Sequence, residues 1–389
     1  MTTTNQSAPY WRLSGFYFFY FATLGALVPY WSLYLRSLGF SDVQIGELVA
    51  IIAGTKIIAP NVWGWIADHR GHRMTIVRLA SLGAVVCFTG VFFGTGYWWL
   101  ALVMTGFSFF WNASLPQFEA TTMNHLGERT QRYSIIRLWG SVGFIVTVVG
   151  LGYLFDWRGV GWLPVVLLAL YAGIWVNSLL VPERAAGHRP LENRPLREVL
   201  GRREVVALLT ACFLAQASHG PYYTFYSIYL ADHGYPANLI GGLWAWGVVA
   251  EIGVFLFMHR LLPGFGPRRL LLVALALTAL RWCLIALFVA HPAVLVLAQI
   301  LHAASFGVVH AVSIYLIHLY FTGRHQGRGQ ALYSSISFGA GGAVGSLYAG
   351  YLWGSAGAIP TYLTAAGLAL LGWVVAWFGI RRQGAAPAP

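Results

Sequence analysis

Gly64-Trp65-Ile66-Ala67-Asp68-His69-Arg70-Gly71-His72-Arg73 is a ten-residue island of polarity between two apolar runs, 43–66 and 74–94. Its charges are bunched within six residues, while the flanking runs are each long enough to cross a hydrocarbon layer of about 30 Å. Read outward from this loop, the same alternation of long apolar run and short polar connection recurs along the chain. Spans are expected at 11–35, 43–66, 74–94, 97–123, 132–155 and 160–181, then at 205–231, 237–260, 269–290, 293–320, 329–353 and 358–380. The expected fold is therefore an all-α membrane protein with twelve transmembrane helices in two six-helix halves. The halves are 1–181 and 205–389, joined by a polar cytoplasmic linker at 182–204, as in transporters built from structural repeats.

Composition supports the same class. Of 389 residues, 58% are hydrophobic and 9% charged, against about 25% charged in soluble proteins. Soluble enzymes and nucleic-acid binders are excluded by that balance. The net charge of +12 comes from arginines crowded into alternate connections, including Arg70, Arg73, Arg129, Arg132, Arg184, Arg202, Arg203, Arg268, Arg269 and Arg328. The intervening connections hold only Arg36 and Arg158. This positive-inside asymmetry places both termini and the linker in the cytoplasm. It reports orientation, not a polyanionic partner. Cys87, Cys212 and Cys283 are scattered through apolar runs with no disulfide or metal spacing. The polar start of the chain, through Pro9, reads as leading into the first span without a cleavable signal.

Against this background five charges stand out within the spans: Lys56, Glu119, Arg137, Glu251 and Arg281. A charge at the centre of a membrane helix costs about 2.5–3.5 kcal/mol on an insertion scale, so it persists where it has a partner or a water-filled cavity. Several of them, of both signs, point to passage of something polar across the bilayer. Glu119 and Arg137 lie on consecutive helices toward one face, so they are expected to meet, with the Arg fork suited to carboxylate or hydroxyls. Glu251 is the expected proton carrier, with Arg281 its switchable partner. His302, Phe306 and His310 share one helix face, and His219 stands beside Tyr222 and Tyr223. Lys56, the only lysine, is a candidate partner for an organic anion.

The loop quoted first resembles the G-x-x-x-D-x-x-G-x-R motif of the major facilitator superfamily, with Gly64, Asp68, Gly71 and Arg73 at the motif positions. A degenerate echo, Leu262-Pro-Gly-Phe-Gly266-Pro-Arg268-Arg269, stands at the corresponding place in the second half. Asn112-Ala-Ser-Leu-Pro116-Gln-Phe-Glu119 and Arg137-Leu-Trp-Gly140-Ser-Val-Gly143-Phe look like the fourth and fifth helices of lactose/proton symporters. In those, such a Glu–Arg pair binds substrate hydroxyls. The span-10 positions that carry Lys, His and Glu there are Gln299, His302 and Ser305 here. Ser218-His219-Gly-Pro221-Tyr222-Tyr223, Arg281-Trp282, Leu301 to His310 and Gly329 to Tyr333 are more similar to the branch of 3-phenylpropionate transporters.

The resemblance implies a proton-coupled symporter of a small organic solute such as an aromatic carboxylate, acting by alternating access in the bacterial cytoplasmic (inner) membrane. It has no enzymatic role, no cofactor beyond the proton gradient, and no partner beyond substrate, proton and lipid bilayer, as a monomer. Glu119, Arg137, Lys56, His219, Tyr223, Phe306 and His310 would bind substrate, and Glu251, Arg281 and His302 would couple the proton. The alternatives are a sugar, oligosaccharide or nucleoside symporter, a proton-driven drug exporter, and a non-transporting membrane sensor.

Overall fold

In a hydrocarbon layer each backbone N–H and C=O must find its partner within the protein, and the α-helix satisfies both locally. Every regular element among the described residues is accordingly a helix. The computed structural model describes residues 8–70, 72–127, 129–184, 199–322 and 325–381. Gly71, the Asp68 side chain and most of the expected linker lie outside the described residues. The first helices are α1 (Tyr10–Ser37), α2 (Asp42–Arg70), α3 (Arg73–Phe88), α4 (Tyr97–Leu126), α5 (Tyr133–Arg158) and α6 (Leu163–Leu180). They continue as α7 (Arg203–Ser218), α8 (Gly220–Asp232), α9 (Ala237–Phe265), α10 (Pro267–Phe288) and α11 (Pro292–Ile300). The last are α12 (Val309–Tyr320), α13 (His325–Ser334), α14 (Gly342–Ala356) and α15 (Ala358–Gly379). Among the described residues nine helical stretches are long and apolar enough to cross a membrane.

Three of the expected spans are internally irregular. The run 205–231 breaks at His219, where Gly220 and Pro221 start a new helix; a proline at the first turn forfeits no helical hydrogen bond. The tenth and eleventh spans each contain a π-helical segment, Ala303–Val308 and Ser335–Gly341. Such wide turns are rare and concentrate at functional sites. Pro29, Pro60 and Pro116 lie inside α1, α2 and α4.

Glycine decides how closely the helices approach. A Cβ on Gly46 of α2 would stand 2.7 Å from the Ser346 carbonyl oxygen and the Gly350 Cα of α14. Gly220 and Gly345 meet backbone to backbone between α8 and α14, and a Cβ on Gly25 of α1 would lie 2.6 Å from the Phe144 oxygen of α5. Gly345 and Gly350 of the eleventh span thus form contact surfaces, as close helix packing in lipid requires.

One end of the bundle is sealed by contacts that run between α1–α6 and the later helices. The Tyr30 hydroxyl, bonded to the Val148 carbonyl of α5 at 2.7 Å, also reaches the Ala237 carbonyl at the start of α9 at 3.5 Å, and Arg36 pairs with Asp232 at 2.8 Å. Asp156 of α5 accepts from the backbone N–H of Ala237 and Asn238 at 2.7 and 3.0 Å. It thereby serves the unpaired donors and positive dipole end of α9. Glu47 of α2 accepts from the hydroxyls of Tyr97 (α4) and Tyr351 (α14), both at 2.7 Å. It is therefore held by tyrosines, nine residues away from Lys56.

Deeper in, Lys56, Glu119, Arg137 and Glu251 are each only part-buried although they lie mid-span. Lys56, Glu119 and Glu251 are nonetheless surrounded by protein on most sides, so their accessible parts border space between the helices. Close packing at the sealed end predicts that Gly46→Ala lowers the apparent melting temperature, since overpacking costs about 1–3 kcal/mol. Gly54→Ala, where a Cβ meets nothing within 4 Å, should leave it unchanged or raised. Equal melting points for the two variants, measured by thermal shift in detergent, would refute the contact.

Candidate functional site

Three polar groups of α2 and α4 set the orientation of Lys56. Thr55 donates to Ser108 at 2.9 Å, and Asn112 donates to Thr55 at 2.9 Å and to the Ile52 carbonyl at 3.1 Å. Residues 52 and 55 therefore face α4. On another side of α2, Ala53 and Ile57 lie against Gly342 and Gly339. At 100° per residue, Lys56 falls between these two faces and points into the space they border. No hydrogen bond or ion pair reaches its ammonium group among the described residues.

Glu119 and Arg137 come near one another from α4 and α5, but not as the direct pair expected. Glu119 accepts from the Tyr133 hydroxyl at 3.3 Å. The Arg137 guanidinium lies 3.6 Å from the Phe21 ring centroid and 5.7 Å from that of Tyr17. No ion pair joins the two residues among the described ones. A guanidinium stacked on an aromatic face keeps its N–H edge free for a planar anion. Tyr133 was not legible in advance; its place four residues before Arg137, one helical turn away, is the signal that would have found it.

The second charged group departs from expectation more sharply. Glu251 faces His302, with Oε2 and Nε2 3.7 Å apart, rather than Arg281. Arg281 is fully buried and its three nitrogens are occupied. Nε donates to the Ala298 carbonyl at 2.9 Å, one terminal nitrogen to Ser305 Oγ at 3.0 Å, the other to Gln299 Oε1 at 3.2 Å. The rings of Tyr222 and Trp282 flank the cation at 4.2 and 4.6 Å. Arg281 as the switchable partner of Glu251 is thus corrected: a cation held on five sides is not poised to swing toward a carboxylate. Gln299 and Ser305, the two positions that depart from the lactose-type pattern, are the ones that engage it.

The histidines divide. His302, Phe306 and His310 stack in parallel, with ring centroids 5.6 and 5.9 Å apart along the π-helical turn. His310 Nδ1 lies 3.0 Å from the Tyr333 hydroxyl. His219, at the break between α7 and α8, bonds through Nδ1 to the Ala215 carbonyl at 2.8 Å, which stabilises the tautomer with the proton on Nδ1. Its ring stacks on Tyr223 at 5.5 Å and meets Trp282 edge-on at 4.9 Å. Tyr222 is the hub of this aromatic group, with Trp244 at 4.4 Å, Tyr226 at 4.9 Å and His302 at 5.7 Å.

At the loop motif, Gly64 and Arg73 converge on one residue of α4. Arg73 donates to Gln117 Oε1 at 2.6 Å, and Gln117 Nε2 would be 3.6 Å from a Cβ on Gly64. Gln117 lies two residues before Glu119, so the loop is tied to the helix that carries the acid.

Comparison with known proteins fits this architecture. The sequence profile of the MFS_1 like family matches residues 10–364. The chain belongs to this family. It is 30% identical over 356 residues to a probable 3-phenylpropionic acid transporter of Escherichia coli (strain K12), covering 87% of this chain and 89% of that one. It is 26% identical over 347 residues to a maltose permease of Geobacillus stearothermophilus, covering 87% and 86%. Among solved structures, a variant of the nucleoside transporter NupG superposes with a TM-score of 0.83 at 15% identity, over 96% of this chain and all of that one. A bacterial homolog of the human lysosomal transporter Spinster gives 0.72 at 16% identity, over 96% and 98%. The protein is thus a multi-pass secondary transporter of the major facilitator type.

Since Lys56 is the only lysine, chemical labelling reads its surroundings directly. A small membrane-permeant amine reagent is expected to modify Lys56 in the folded protein, detected by peptide mass spectrometry. An unmodified Lys56 beside a fully modified α-amino group would show that it does not face the space between the helices.

Proposed function

We propose that the protein takes up a small aromatic carboxylate together with protons. The observation that carries this reading is Lys56, a cation inside the bundle with no hydrogen-bond or ion-pair partner among the described residues. Arg137 of α5 stacks on Phe21 and, among the described residues, the Glu119 carboxylate acts on it without forming an ion pair. With both acids ionised, the five mid-span charges leave an excess of one positive, and protonation of either acid raises it. Such a site favours an anion, and the part-exposed rings of Phe21 and Tyr223, with Tyr17 and Tyr20 buried behind Phe21, suit an aromatic body. The relative named for 3-phenylpropionic acid supports the same class.

Glu119, held by Tyr133, would border the substrate from α4, with Arg137 from α5 and Lys56 from α2. Phe306, His310 and His219 with Tyr223 would border the substrate from the later helices. Glu251 with His302 would take the proton: a carboxylate beside an imidazole and within reach of solvent can load and release one. In this reading α7–α8, α11–α12 and α13–α14 are single crossings. The bundle then has twelve spans, in halves 1–181 and 205–389 around the linker 182–204. The sealed end faces outward, because the arginine-rich connections lie at the other end.

The substitution Lys56→Gln should weaken binding of 3-phenylpropionate by about tenfold or more, equivalent to about 1.4 kcal/mol. The neutral alcohol 3-phenylpropanol should be almost indifferent to it. Equal effects on acid and alcohol, or competition by maltose rather than by the acid, would remove the anion reading in favour of a sugar. Coupling is tested separately in proteoliposomes. Uptake should rise as the outer pH falls, and Glu251→Gln should abolish accumulation against a gradient while exchange of labelled for unlabelled substrate continues. Loss of both to the same degree would assign Glu251 to folding or binding instead.

A further inference from the structure

We infer that Arg281 is a positioning residue that holds the irregular turn carrying His302, and through it the geometry of the Glu251–His302 pair. This deepens the coupling role proposed for Glu251 and rests on that reading. The three acceptors of the Arg281 fork are spread along one stretch of chain: the Ala298 carbonyl and the Gln299 side chain in the last turn of α11, and Ser305 within the π-helical turn. His302 lies between them. The fork therefore clamps the chain on both sides of the point where the ladder of i→i−4 bonds gives way to the wider i→i−5 turn.

A π turn holds one residue more than the α-helix it replaces. If it relaxed, the chain on one side would shift by a residue, about 100° around the axis, and His302 would turn away from α9. Gly307 adds a steric reason for the same geometry: a Cβ there would press on Val254 and the Glu251 side chain, at 2.9 and 3.3 Å. The π-helical turn thus brings the backbone directly against the carboxylate.

The demand on Arg281 is geometric as well as electrostatic. A guanidinium presents donors in fixed, divergent directions, whereas a lysine ammonium is a point charge on a flexible stem. The rings of Tyr222 and Trp282 hold the plane of the fork. The Tyr222 hydroxyl donates to the same Gln299 oxygen at 3.0 Å, so the clamp is braced from α8 as well. The other charged or titratable groups acting on the pair are Arg137 from α5 and His219 from the break before α8.

The test reads Glu251 directly and needs no substrate. Infrared difference spectra of the protein in membranes, titrated in pH, show the C=O stretch of a protonated carboxyl, and the band absent in Glu251→Gln belongs to Glu251. Arg281→Lys, which keeps the charge, should shift the midpoint of this band by about one pH unit, the tenfold change that displacing a close polar partner of a carboxyl brings. Ser305→Ala, which removes one of the three acceptors, should shift it in the same direction by less. The inference is overturned if both variants titrate as the unmodified protein does. If Arg281→Lys does not fold, an unchanged midpoint in Ser305→Ala overturns it alone. The absence of any band that Glu251→Gln removes would instead show that Glu251 does not titrate, ending its coupling role and this inference with it. Failure to transport 3-phenylpropionate leaves this measurement unaffected.

Discussion

Contact between bare backbones sets the distances on which the rest of this transporter depends. Where Gly46 meets Gly350, Gly220 meets Gly345 and Gly25 meets Phe144, the helix axes lie as near as two main chains allow. In a lipid bilayer, where apolar surface gains little by leaving one oily medium for another, such close packing and interhelical hydrogen bonds supply the association energy. It also sets the scale of the polar contacts. Tyr30 can reach the Val148 carbonyl, and Asp156 the first amides of α9, because the helices bearing them already touch.

Within that frame the charges serve two different ends. Arg281 is enclosed, and its charge is absorbed by a carbonyl, an amide, a hydroxyl and two ring faces. Breaking such an arrangement is costly because the charge would remain without its partners. Lys56, Arg137, Glu119 and Glu251 are only part-buried and, among the described residues, have one or two partners each, except Lys56, which has none. The first kind of charge maintains a shape, and the second is available to a ligand or a proton. The physical distinction is the number of hydrogen bonds already made, not the depth in the membrane.

The helical class, the run boundaries and the charged positions were legible in the sequence because hydrophobic length and isolated charge are local properties. Span limits agree with the helices to within several residues, as at α3, where 74–94 was expected and Arg73–Phe88 followed by a 3-10 turn to Phe92 is found. Which charge faces which was not legible. The sequence places Arg281 and Glu251 in the same half of the chain, but whether they meet depends on the π-helical turn after α11, which brings His302 rather than Arg281 to Glu251. The same holds for Glu119 and Arg137: consecutive helices bring them close, yet Phe21 of α1 takes the guanidinium face and Tyr133 takes the carboxylate. The break at His219, by contrast, could be read from Gly220-Pro221 alone.

Asp156 binds α9 through two main-chain amides, a kind of contact that recognises no side chain. The acid carries all of the chemical identity in that link; positions 237 and 238 supply only their N–H groups. As far as that link is concerned those two side chains are free to vary, although Ala237 also packs on the core and both backbones lie against Gly152. Proline, which lacks the N–H, is the exception. A joint built this way places its evolutionary constraint on one helix and leaves the other open to change in length, polarity or bulk on the outer surface.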